Sequence, residues 1–225
     1  MMFRSLGATA LLILTGALTH AANYSAKVAD GTAPPKEAGE DVRKLLADRS
    51  VQVADEKGEL LAELWFRKEL PAKATEAQIK NGLTYRQVPE TSLVGVLRVA
   101  RQLMDYRKQK IPAGVYTLRL AYQPMDGDHM GTAPHGEFCL VSPAADDKNP
   151  ALMEPKKLHE QSAKATGGHP GVFLLFPGRD AGDEPKVVSK SGGHFVLLFK
   201  QDVTVGGKKV ILGFGLTLVG HSPSA

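Results

Sequence analysis

Short apolar segments that alternate with polar residues, each closed by a cluster of Gly, Pro, Asp or Asn, constrain this chain more than anything else in it. In the clearest, 115–122, Tyr116, Leu118, Leu120 and Tyr122 share one face while Val115, Thr117, Arg119 and Ala121 share the other. A period of two marks a strand on a sheet with one buried face, so this segment is expected to be half buried. Val51 and Val53 alternate in the same way, and D-E-K-G at 55–58 turns them into a second apolar run at 60–66, a hairpin with Trp65 in the core. Further strands are expected at 83–87, 93–99, 138–141, 172–176, 186–188, 195–200, 203–205 and 210–219, the last two joined by Gly206-Gly207.

Helical signals are few. One or two turns are expected at 100–108, a helix near 155–165, and a short helix within 37–49 carrying Val42, Leu45 and Leu46 on one side. Regular helical crossovers between strands are missing, which excludes a parallel α/β fold. The expectation is a mainly β protein: a single β-sandwich-like domain of about ten antiparallel strands with one or two short helices, spanning 50–221. Ahead of it, 23–49 reads as an N-terminal tether and short helix, because D-G-T-A-P-P-K is small, polar and rich in chain-breaking residues.

Residues 1–22 read as a signal peptide: Arg4, an apolar run over 6–18, then small residues and cleavage near Ala21 or Ala22. The run is shorter than the roughly 20 apolar residues that span a bilayer, so no membrane span is expected in the mature form. A periplasmic or secreted bacterial protein follows. The only Cys, Cys139, sits in F-C-L-V and reads as a small core residue, so no internal disulfide forms. Basic residues number 28 against 24 acidic, spread along the chain, a surplus too small to suggest nucleic acid as a partner.

Potential metal ligands crowd into one irregular stretch, M-D-G-D-H-M-G-T-A-P-H-G-E at 125–137. His129 and His135, with Met125 and Met130 beside them, form a set suited to copper or zinc. Asp126, Asp128, Gly131 and Glu137 instead occupy the first, third, sixth and twelfth positions of a calcium loop, although Met130 stands where an oxygen ligand belongs. The plain alternative is a turn capped by Asp126-Gly127-Asp128 with solvated imidazoles. A secondary cluster comes from two Gly-Gly-His triplets ending at His169 and His194. Counting strands in a simple up-and-down path puts those two histidines at one end of the sandwich and the 125–137 loop at the other, whereas one more strand between 143 and 168 would merge them into a four-histidine site, and the plain alternative is that Gly-Gly-His marks flexible strand entries. His159 and Glu160 fall on the expected helix and read as solvent-facing. No nucleophile elbow, phosphate loop or zinc-protease helix motif occurs.

At 110–118 the chain reads K-I-P-A-G-V-Y-T-L, a turn shaped by Pro112 and Gly114 that opens an alternating strand. The segment resembles a motif of exported bacterial proteins grouped as a domain of unknown function, and the resemblance implies an exported β domain without implying an activity. The functional expectation is a binding module, not an enzyme, that takes a metal ion or small polar ligand through the 125–137 loop. The competing expectation is a structural or interaction domain with a cell-envelope protein as partner.

Overall fold

A computed structural model describes residues 24–124 and 131–223. Residues 1–22, read above as a signal peptide, and Met125, Asp126, Asp128, His129 and Met130 of the ligand-rich loop lie outside the described residues. Thirteen strands run through the rest: β1 (Ser25–Asp30), β2 (Arg49–Ala54), β3 (Leu60–Phe66), β4 (Leu70–Ala72), β5 (Leu93–Val99), β6 (Leu103–Met104), β7 (Lys110–Ile111), β8 (Gly114–Tyr122), β9 (Glu137–Pro143), β10 (Gly171–Pro177), β11 (Lys186–Lys190), β12 (His194–Val205) and β13 (Lys208–Val219). Three helices accompany them: α1 (Glu40–Leu45), α2 (Glu76–Asn81) and α3 (Pro155–Thr166). The chain is mainly β and sandwich-like, with pairing that is antiparallel except where β4 lies parallel to β12.

One continuous sheet runs β1-β2-β3-β5-β8-β9-β10-β13-β12-β11, and it folds over on itself at β10. The first half of that strand pairs β9, from Gly171 opposite Val141 to Leu174 opposite Phe138. Its last residues pair β13 instead, Leu175 opposite Leu216 through Pro177 opposite Phe214. The two arms thus created enclose the main core, where Leu64, Leu97, Leu118, Leu120 and Val141 of one meet Leu197, Phe199, Val203, Phe214 and Leu216 of the other. Far ends of the sheet come back together as well. β1 approaches β11, and the Tyr24 and Phe195 rings lie 4.5 Å apart. The β12–β13 hairpin closes through Gly206 and Gly207 at φ +55° and +81°, the positive pair that a tight hairpin turn requires.

The strand expected to be half buried is buried on both faces. Tyr116, Leu118 and Leu120 face the main core, whereas Thr117, Arg119 and Ala121 look outward and are covered there too. Three pieces make that cover. α1 brings Val42 and Leu46 onto Trp65, Leu93 and Val96; α3 brings Leu158 onto Ala121 and Leu140; the 144–153 connection fills the space between. Trp65 is therefore core, but core of this outer layer.

Other expectations are corrected. The stretch read as a tether contains β1, in register with β2 from Ser25 opposite Ala54 to Asp30 opposite Arg49, so the sheet begins well before residue 50. Residues 83–87 do not form a strand: Thr84 caps a single 3-10 turn, Tyr85–Gln87, in a reciprocal bond with Gln87. The same T-x-x-Q pattern at Thr75 starts α2, a helix not expected at all. Residues 100–108 are not helical, because Asp105 takes the amides of Arg107 and Gln109 at 2.9 and 2.7 Å and holds a turn. The runs at 195–200 and 203–205 form one strand, β12.

Candidate functional site

The two described members of the loop set have separate attachments. Glu137, first residue of β9, accepts a hydrogen bond from Arg86 Nε at 2.7 Å, and the Arg86 guanidinium lies over the Tyr122 ring at 4.4 Å. His135 packs edge-on against Phe176 with ring centroids 4.8 Å apart. Burial pushes its imidazole below the ordinary range, with Glu137 opposing.

His194 reaches the same Phe176 ring from another side, at 5.6 Å, and stacks on Tyr106 at 5.8 Å. Its Nδ1 faces the Ser191 carbonyl at 2.8 Å. His135 and His194, expected at opposite ends, therefore share one aromatic neighbour. Strand counting fails here because β10 changes partner between Leu174 and Leu175, so Phe176 belongs to the second arm while the strand began in the first. His169 is exposed, and its carbonyl takes the Thr166 hydroxyl at the end of α3. Among the described residues, no three His, Cys, Asp or Glu side chains gather as a metal-binding set. Cys139 is fully buried, and burial raises its thiol, the reverse of what a nucleophile needs.

One concavity lies where the two arms of the sheet part at one end. A cleft of about 290 Å3 opens between β1, β2 and the end of β3 on one side and the 183–185 segment and β12 on the other. The register builds it. Val28 pairs Val51 and Asp30 pairs Arg49, so all four side chains project from the same face of the β1–β2 ladder. Val51 faces the core, which places Asp30 and Arg49 at its open margin. Phe66 ends β3 against Phe199 of β12, the rings stacked 3.7 Å apart, and this pair with Val28 and Val51 makes an apolar floor. Gln201 Nε2 donates to the Arg67 carbonyl at 2.7 Å and clasps the two sides together.

Around that floor stands a rim of charges of both signs: Arg49, Arg67, Lys68 and Lys200 against Asp30, Asp183, Glu184 and Asp202. One pair is already made, Lys200 Nζ to Asp183 Oδ1 at 2.6 Å, and it holds the Asp183 carboxyl below its usual range. Arg49 and Arg67 make no ion pair among the described residues. Arg67 is partly buried; burial lowers its affinity for a proton, the Arg119 charge adds to this, and Glu69 opposes. Arg67 meets the clasp through its carbonyl while its guanidinium feels the Arg119 and Glu69 charges; Arg49, on the same face of β2 as Val51, is the fork of donors open to a bound acid.

None of these residues stood out in the sequence. Arg49 fell at the end of an expected helix and Arg67 just past an expected strand. The available signal was positional: Arg49 stands two residues before Val51, so strand alternation puts it on the core-facing side of β2. Comparison with known proteins finds no matching family model, no matching curated protein and no matching solved structure.

Proposed function

We propose that the protein is an exported binding module, not an enzyme, and that it holds a small amphipathic molecule in the cleft at the gaping end of the sandwich. The carrying observation is the pairing of an apolar floor, Phe66 on Phe199 with Val28 and Val51, with a rim arginine, Arg49, that forms no ion pair among the described residues. Small-ligand sites combine an apolar concavity with a few polar groups that fix orientation, and about 290 Å3 lies at the small end of their range. Arg49 suits a carboxylate. Asp30 and Asp202 offer the opposite charge on the same rim, so a ligand bearing both a carboxylate and an ammonium matches it best. Export is supported by the Arg4-led apolar segment ending in small residues.

The test is an NMR titration of the 15N-labelled mature chain with apolar amino acids and short zwitterionic peptides. Saturable shifts are expected at the amides of 28–30, 49–51, 66–68 and 199–202. Arg49→Gln should abolish saturation while leaving the remaining spectrum in place. Absence of saturable shifts across the panel, or unchanged binding in Arg49→Gln, overturns the reading.

A further inference from the structure

A different cleft, of about 370 Å3, lies between the 145–153 connection and the outer side of α3. Its charge is one-sided. Both acidic residues in its wall are already engaged, Asp146 with Lys164 Nζ at 3.2 Å and Asp147 with Arg119 Nε at 2.7 Å. Lys148 and Lys157 also line it, and neither forms an ion pair among the described residues.

Two further features point the same way. α3 begins Pro155-Lys156-Lys157 and has no acidic side chain in its first turn, although a helix start presents free N–H groups and the positive end of its dipole. Lysines there reverse the usual arrangement, and they become favourable once an anion sits against the same turn. One turn further on, Gln161 lines the cleft, is only 8% exposed, and has an Nε2 with no hydrogen-bond partner. Buried donors without partners are exceptions in folded proteins. Spacing of four residues sets Lys157 and Gln161 on one face of α3, beside Lys148 across the cleft.

We infer that this cleft is an oxyanion site for a phosphate or sulfate group, held by Gln161 Nε2, Lys157 and Lys148 at the start of α3. It is independent of the zwitterion cleft and does not require that reading to hold. Calorimetry and thermal shift with inorganic phosphate, against chloride at equal ionic strength, test it. The mature protein should give saturable heat and a rise in melting temperature with phosphate alone. Gln161→Leu keeps the side-chain size, and Lys157→Ala is a surface change, so both should fold; each should weaken phosphate binding about tenfold, the loss of one charge-assisted hydrogen bond. Arg49→Gln should leave phosphate binding unchanged. Vesicles of phosphatidylglycerol that retain the wild type but not Lys157→Ala would assign the anion to a lipid headgroup, whereas phosphate binding without retention would assign it to a free oxyanion. No saturable phosphate heat, an equal response to chloride, or unaltered binding in both variants overturns the site.

Discussion

Arg119 grips Asp147 through two parallel hydrogen bonds, Nε to Oδ2 at 2.7 Å and Nη2 to Oδ1 at 2.9 Å, with the two side chains 0% and 2% exposed. Its other N–H groups reach the carbonyls of Thr91 at 2.8 Å, Ala151 at 3.0 Å and Asn149 at 2.6 Å, so all five guanidinium donors are spent. Thr117 Oγ1 adds a 2.6 Å bond to the same carboxylate. One side chain on β8 thus fastens the 144–153 connection over the sheet. Asp147→Ala should lower unfolding stability by roughly 3–5 kcal/mol, because it strands a buried cation. Urea denaturation measures this, and Arg119→Met combined with Asp147→Leu should cost less than the two single losses added together.

Tyr85 plays a corresponding part inside the main core. Its hydroxyl donates to the Phe176 carbonyl at 2.5 Å and accepts from the Gly215 amide at 2.9 Å, tying β10 and β13 at the place where the sheet turns over. Tyr85→Phe leaves both backbone groups without that partner and should destabilise by about 1–3 kcal/mol. Denaturant titration by tryptophan fluorescence, using Trp65, reads the shift in midpoint.

Two turns share one construction. Asp55 takes the amides of Lys57 and Glu59, and Asp105 takes those of Arg107 and Gln109. The fourth residue is left-handed in both, Gly58 at φ +79° and Lys108 at φ +60°. A side chain at Gly58 would meet no atom within 4 Å, so Gly58→Lys tests the backbone alone. The expected cost is about 1 kcal/mol, seen as a lowered melting temperature with unchanged circular dichroism.

The His135 imidazole, held below its ordinary range by burial, gives stability a pH dependence with a definite sign. Above the ordinary histidine range it is neutral both folded and unfolded and has no effect. As pH falls through that range the unfolded chain takes up the proton first, so stability drops until the folded form is protonated too. His135→Gln should flatten the fall in urea midpoint between pH 7.5 and pH 5 (roughly the span over which histidine titrates); an equal fall in the variant would contradict it.

Local pattern carried a long way in this chain. Alternation at 51–66, 93–99, 115–122 and 210–219 was legible because each strand buries at least one face against the core, and the Gly206-Gly207 hairpin because its turn demands positive φ. The T-x-x-Q boxes at Thr75 and Thr84 were equally present as sequence but lacked an apolar period to draw attention to them. What sequence could not supply was pairing between distant segments. The cleft exists because β12 stacks Phe199 on Phe66, and the oxyanion site because α3 lies along a connection pinned by Arg119. Of the histidines singled out, His135 and His194 do approach one ring, but only because β10 changes partner midway, an event that no local pattern encodes.

That change of partner at Leu174 and Leu175 makes β10 a shared seam. Neither arm of the sheet can melt while the other persists without tearing a single strand in half, and its two parts are joined by one peptide bond. Amide hydrogens of β9 and β13, which flank the seam on opposite sides, should therefore exchange with solvent through the same global opening and report one free energy, so that the protein breathes as a single unit.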